Sequence, residues 1–348
     1  MREKHFRAIF SLGFAIAFAA NLVSQTNVRP ATPNASAETM KLLEFIYSIS
    51  GKKTLTAEHE YMYKMSQSTD SISKLTGKYP AIWGGEFGFS DERHDVDNIK
   101  YRPWLLDEII IQHSEGALIT LTYHQASPVI GEPCDFKDGV QSKLTPEQYK
   151  ELLTPGTKIY ETWRGMIDKL AGMFSELQKR KIPVIFRPYH EMNGGWFWWS
   201  GTPGDSCCIK LYRQLFDYLT VKKGLTNIIW VWSPSSQKNN LMKDYYPGDK
   251  YVDIVGFDIY PSKDNATPEE TFSTETYNTL LNFAGNKPMV IGECSTMPTI
   301  EILKKQPRWA WMMCWVELIF AGNTKENIIK NYNSDITITR DELKDMMK

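Results

Sequence analysis

From Thr39 onward, short runs of apolar residues alternate with longer stretches in which apolar positions recur every three or four residues. The short runs are Thr54–Ala57, Ala81–Gly84, Ala117–Tyr123, Pro183–Arg187, Asn227–Ser233, Tyr251–Phe257, Pro288–Gly292 and Ala310–Val316. Runs of this length bounded by turn residues read as buried strands. The longer stretches, Lys41–Ser50, Tyr101–Ser114, Pro146–Lys181, Ile209–Lys223 and Thr274–Ala284, carry helical periodicity, and Asp341–Lys348 reads as a terminal amphipathic helix. Eight strands alternating with helices favour parallel βα units, and eight such units favour a closed barrel over an open sheet. The expected fold is α/β, a single (β/α)8 TIM barrel over residues 39–348.

The segment before it reads differently. A basic start, Met1 to Arg7, leads into an apolar run from Ala8 to Ala20 broken only by Ser11 and Gly13, with a small-residue Ala17-Phe18-Ala19 site. This pattern marks residues 1–20 as a signal peptide, too short to span a bilayer, and implies export to the periplasm or the medium. Residues 21–38, rich in Pro, Ala, Thr, Ser and Asn from Val28 onward, read as a flexible lead-in. Forty basic and forty-one acidic side chains give a net charge of −1, so nothing electrostatic calls for nucleic acid or an anionic membrane surface. The chain is expected to be a monomer without membrane insertion. Neither a dinucleotide fingerprint nor a phosphate-binding loop is present, and the five cysteines show no metal-site spacing.

The candidate chemistry gathers at the ends of the strands. Arg187-Pro188-Tyr189-His190-Glu191-Met192-Asn193-Gly194-Gly195-Trp196-Phe197-Trp198-Trp199 puts a carboxylate after an apolar strand and follows it with three indoles. A second carboxylate, Glu293, closes the run Met289-Val290-Ile291-Gly292 about a hundred residues later, the span of three βα units of about thirty-odd residues. Glycoside cleavage with retention uses two carboxyls roughly 5 Å apart, one as acid/base and one as nucleophile, and sugar rings stack on aromatic faces. A zinc reading of His190-Glu191 fails because the second histidine of that motif would fall at Gly194. The other strand ends add Glu58, His59, Glu86, His124, Trp232, Ser233, Asp258, Tyr260, Trp315 and Glu317. In barrel enzymes that face carries the active site. Arg187, alternating onto the same face, is placed either to hold Glu293 or a nearby aspartate or as a structural ion pair. Cys294 should point away from the pocket.

With these motifs the chain resembles glycoside hydrolase family 26, a retaining (β/α)8 family dominated by β-1,4-mannanases. The resemblance rests on Arg187 to Trp199, with support from Thr122-Tyr123-His124, Ile229 to Pro234, Val255 to Tyr260, Gly292-Glu293 and Trp315. It implies Glu191 as acid/base and Glu293 as nucleophile, with Tyr260 orienting the nucleophile. His124 and His190 become sugar or carboxylate partners, and Trp196 and Trp315 walls of the subsites. Apart from the resemblance, Arg187 and Trp232 are expected as further substrate-binding residues from their strand-end positions. No cofactor or metal is implied. Two departures stand out: Val316 follows Trp315 where some family mannanases have a basic residue for a more distal sugar, and Glu86 stands where the family pattern has Asp. The expected substrate is mannan or a manno-oligosaccharide. β-1,3-Xylan or mixed-linkage glucan cleavage, and glycan binding without turnover, are the alternatives. Pro128–Lys143, rich in Gly and Pro, is the loop expected to shape the groove end.

Overall fold

The computed structural model describes residues 28–91 and 94–347; the expected signal peptide lies outside the described residues. Eight parallel strands close on themselves: β1 (Thr54–Glu60), β2 (Ile82–Glu86), β3 (Leu118–Tyr123), β4 (Val184–Pro188), β5 (Ile228–Trp232), β6 (Ile254–Ile259), β7 (Met289–Cys294) and β8 (Trp309–Trp315), with β1 paired to both β2 and β8. A two-residue β9 (Thr337–Ile338) adds to the outer start of β1. The eight expected strands are all present, and the fold is a (β/α)8 barrel.

Side-chain alternation divides the interior into two layers. Leu55, Ala57, Ile82, Ile185, Ile229, Val231, Ile254, Val290 and Met313 form one buried cluster with Leu42, Leu43, Ile46 and Ile49 of helix α1 (Ala37–Ile49), so α1 closes the amino-terminal floor. Each Leu, Ile, Val or Met among them contributes about 1.5–3 kcal/mol when fully buried. The opposite strand faces, among them Trp83, Phe186, Trp230, Trp232, Val255 and Met312, join the larger cluster between barrel and helices.

Trp232 therefore lies in the wrong layer for substrate. It is fully buried against Tyr246 and Phe283, and it does not line the cleft expected to bind sugar. The reason is parity: Ile229, Val231 and Ser233 face inward, so Trp230 and Trp232 face out.

Other boundaries differ for local reasons. β1 runs past Ala57 to Glu60, because the Glu60 carboxylate accepts from the backbone amides of Ser68 (3.2 Å) and Thr69 (2.6 Å) at the start of α2 (Gln67–Thr76). After α3 (Arg102–Ser114), the stretch expected as one helix over 146–181 is two, α4 (Pro146–Leu152) and α5 (Lys158–Lys179). The chain between them, Thr154-Pro155-Gly156-Thr157, breaks the helix and recaps it through the Thr157 hydroxyl. The helix expected over 209–223 is α6 (Cys207–Asp217) continued by a π-helical turn over Tyr218–Lys222. Residues 28–36, expected as a flexible lead-in, are tied to the barrel floor. The Ala31 amide donates to Asp253 at 2.6 Å, and the buried Thr32 hydroxyl donates to the Ile228 carbonyl while accepting from the Trp230 indole.

Candidate active site

The carboxyl ends of the strands surround an open cleft of about 860 Å³. His124, His190, Glu191, Trp196, Tyr260, Glu293 and Trp315, seven of the nine residues singled out in the sequence, line it. Arg187 lies just beneath, and Trp232 alone lies elsewhere.

Glu293 reaches the cleft through an irregularity in β7. Val290 points into the barrel and Ile291 out, so simple alternation would turn residue 293 outward. The register of β7 against β6 shifts between the Phe257–Ile291 and Asp258–Glu293 pairs, a bulge that brings Glu293 inward while Cys294 packs outside against Met313 and Cys314. Gly292 makes this possible, since a Cβ there would lie 2.4 Å from Asp258 Oδ1 and 2.5 Å from Ser233 Oγ.

Arg187, fully buried, faces the same space. One end of its guanidinium donates to both Asp258 oxygens at 3.0 and 3.2 Å, and the other to Glu293 Oε1 at 2.5 Å. Tyr260 donates its hydroxyl to Glu293 Oε2 at 2.9 Å. Both roles foreseen for Arg187 are thus combined. Charge-assisted bonds of this kind fix geometry.

Glu191 is presented by a tight turn after β4 in which Tyr189 and Glu191 take left-handed backbone angles, φ +48° and +52°, an uncommon state for such residues. The turn is held by its neighbours. Glu191 N donates to the Ser233 carbonyl at 2.8 Å, the Trp199 indole donates to the His190 carbonyl at 2.8 Å, and the Asn193 side chain bonds Ser235 in both directions. Trp196 then folds back over Gly194, where a Cβ would meet the indole at 2.3 Å, and donates Nε1–H to Glu191 Oε2 at 2.8 Å. Of the three consecutive-loop tryptophans, Trp196 meets the cleft while Trp198 and Trp199 are core. Burial, with the Glu293 charge next, pushes the Glu191 carboxyl up to about 7, and the Trp196 bond works against them.

The histidines form a second chain. Glu86 accepts from the His124 backbone amide (2.8 Å), the Thr122 hydroxyl (2.8 Å) and the Gly88 amide (3.1 Å), and its Oε2 lies 2.9 Å from His124 Nδ1. Burial alone would depress the His124 imidazole, but the facing Glu86 lifts it to about 9. Burial likewise opposes the Glu86 anion, yet His124 draws it down to about 2. His124 Nε2 lies 3.0 Å from His190 Nε2. Burial and the adjacent His124 charge hold His190 well below its usual range, so it is neutral and accepts from His124. Glu86, whose role the sequence left open, is the group that keeps His124 charged. Trp315 stacks on His59 at 3.9 Å and 17°, while Val316 turns into the core.

The geometry is that of a paired-carboxylate site at a barrel mouth, and most of the chain fits one family. The model of glycosyl hydrolase family 26 matches residues 31–342. The chain belongs to glycosyl hydrolase family 26. It is 30% identical over 303 residues to a mannan endo-1,4-β-mannosidase of Bacillus subtilis strain 168, covering 82% of this chain and 78% of that enzyme. A mannan endo-1,4-β-mannosidase of Thermothelomyces thermophilus is 29% identical over 330 residues, covering 89% of this chain and 62% of its own. Among solved structures, GH26A of a Muricauda species superposes with a TM-score of 0.81 at 34% identity, over 89% of this chain and 99% of that one. The GH26-CBM35 β-(1,4)-mannanase of Podospora anserina gives 0.76 at 27%, over 92% and 70%. Family 26 enzymes are retaining glycoside hydrolases, so the protein is an enzyme of that class.

Proposed function

We propose that this family 26 enzyme is an exported endo-β-1,4-mannanase, acting as a monomer on mannan-type polysaccharides, with Glu191 as acid/base and Glu293 as nucleophile. The observation that carries the assignment is the contrast between the two carboxyls in one cleft. One is half-buried under an indole with its carboxyl pushed up to about 7, and the other is held by Arg187 and Tyr260. The named activity of its relatives supports mannan as substrate, and the basic-then-apolar start, residues 1–20, supports export.

In the first step a Glu293 oxygen bonds to the anomeric carbon as the glycosidic C–O bond breaks, and the Glu191 proton passes to the departing oxygen. In the second, Glu191, now a carboxylate, takes a proton from water. The water oxygen bonds to the anomeric carbon, the Glu293 ester bond breaks, and both groups return to their starting states. The charged His124, donating to His190, keeps that ring neutral and in place beside Glu293, 3.7 Å from Oε1. Chromatography of digests of linear mannan, galactomannan, β-1,3-xylan and mixed-linkage glucan tests the reading, with Glu191→Ala as control. Mannan-derived oligosaccharides of mixed size, absent from the control, are expected; products from another glycan alone would replace the substrate.

A further inference from the structure

A second cavity, of about 1020 Å³, lies behind the Gly194–Phe197 loop and takes no part in the chemistry above. Its walls come from α4 and the chain before it, the loop after β4, the start of α6 and the loop after β5. Four lysines line it, Lys143, Lys150, Lys210 and Lys238, and among the described residues none of the four is in an ion pair, although Lys169, Lys179 and Lys223 elsewhere are. Asp205 is the one acidic side chain lining the cavity among the described residues, and backbone amides occupy both its oxygens, Thr202 at 2.7 Å and Cys207 at 2.8 Å. The floor beneath is apolar and fixed, with Tyr149 and Trp198 both buried and the Tyr149 hydroxyl donating to the Trp198 carbonyl at 2.6 Å. In a chain of net charge −1, four unpaired cations around one concave wall are a local concentration whose field the cavity focuses. The catalytic cleft is lined the other way, by Asp97, Asp135, Glu191 and Glu293 against Lys137 and the charged His124. An anionic ligand group therefore has its complement in the second cavity and not in the first.

The two cavities meet at one loop. Phe197 lines both, Gly194 and Gly195 line the second, and Trp196 between them lines the first. Lys238 stands at the junction, its ammonium donating to the Gly194 carbonyl at 2.7 Å and lying 5.8 Å from the centre of the Trp196 ring. Glu191, which passes its proton to the departing oxygen, is bonded to that same indole, so the departing half of the glycan lies on the side where the lysines begin. We propose that this second cavity binds a carboxylate-bearing sugar, a uronic acid unit, on the leaving-group half of the glycan. The lysines meet its carboxylate as point charges. The proposal rests on the mannanase reading above and narrows the substrate class to β-mannans that carry acidic sugars.

The test is titration calorimetry with a β-1,4-linked trimer of mannuronate, the carboxylate counterpart of mannotriose, at low and at physiological salt. The wild type is compared with the triple variant Lys143→Gln, Lys150→Gln, Lys210→Gln, which alters three exposed side chains and leaves Lys238 and the catalytic cleft intact. At low salt the triple variant should bind the mannuronate trimer about tenfold more weakly, the worth of a few exposed charge contacts, and the gap should shrink at physiological salt. Mannotriose binding and kcat/KM on linear mannan should be the same in both proteins, and the corresponding triple change to Arg, which keeps the charges, should restore binding of the trimer. Equal affinity of wild type and Gln variant for the trimer would overturn the proposal, and so would a gap indifferent to salt. Displacement of the trimer by an equal concentration of inorganic phosphate would overturn it too, by showing a site for any anion. A wild type that binds the trimer through these lysines yet releases nothing from any mannan would instead bring down the substrate reading and leave the acidic-sugar site standing.

Discussion

Glu191 and Glu293 face one cleft from opposite walls of the barrel, and their surroundings differ in nearly every respect. Glu293 arrives by a bulge in β7 and meets two donors on a rigid base, the Arg187 guanidinium at 2.5 Å and the Tyr260 hydroxyl at 2.9 Å. Glu191 arrives by a left-handed turn and meets a single neutral donor, the Trp196 indole, with burial outweighing it. The same side chain is thereby set up for two tasks: one end of the site holds its carboxyl with a guanidinium and a phenol, the other gives it one neutral donor and lets burial and the Glu293 charge raise it. Cleavage needs both, because a proton donor and an anionic nucleophile must coexist at one pH.

The sharpest way to break that comparison is to remove each carboxyl in turn. Glu293→Ala should lower kcat on mannan by at least roughly 10⁴-fold, since the covalent step has no substitute. Glu191→Ala should cost roughly 10²- to 10⁴-fold, the usual worth of a positioned acid/base. A substrate with a good aryl leaving group should recover the first step in Glu191→Ala and not in Glu293→Ala. Equal recovery in both, measured by rapid-mixing release of the aryl group, would refute the division of roles.

A smaller effect is expected from the pair that underlies His124. Glu86→Gln removes one partner of a buried ion pair, a change that typically costs about 3–5 kcal/mol. The pH window follows from both partners. Glu86, drawn down to about 2, stabilises the fold above its unfolded value near 4.3 and loses this as pH falls toward 2. His124, lifted to about 9, contributes fully below its unfolded value near 6.5 and loses this as pH rises toward 9. The deficit of Glu86→Gln in urea or thermal unfolding should therefore be largest at about pH 4.5–6.5 and shrink on either side. A deficit flat from pH 3 to 10 would show that packing, and not charge, gives Glu86 its worth.

How far the sequence reveals this arrangement depends on the kind of signal. The eight strands and most of the cleft residues follow from local runs and their strand-end positions, because a barrel repeats one local rule. Two departures from the expected elements are themselves legible in the sequence: the Pro155-Gly156 break in the long helix, and the outward parity of Trp232, which follows once Val231 and Ser233 are assigned inward. The rest depends on contacts distant in the chain. The bulge that aims Glu293 is visible only in the pairing of β6 with β7, and the hold on Thr32 depends on Ile228 and Trp230.

The smallest expected effect concerns the indole on Glu191, and it sharpens the comparison most. A general acid works while protonated, so kcat/KM should fall as pH rises through about 7, where burial and the Glu293 charge have pushed Glu191. Trp196 donates to the Glu191 carboxylate and so favours its anion. Trp196→Phe deletes that donor while leaving an apolar ring to cover the site. The anion then becomes less favourable, and the alkaline limb should move to higher pH by roughly one unit or less. Activity at pH 6 should drop only about two- to tenfold, from a looser acid and a smaller stacking face. A limb that moves instead to lower pH would mean that the indole acts mainly by excluding water, since phenylalanine would then have admitted enough solvent to stabilise the anion more than the lost hydrogen bond did.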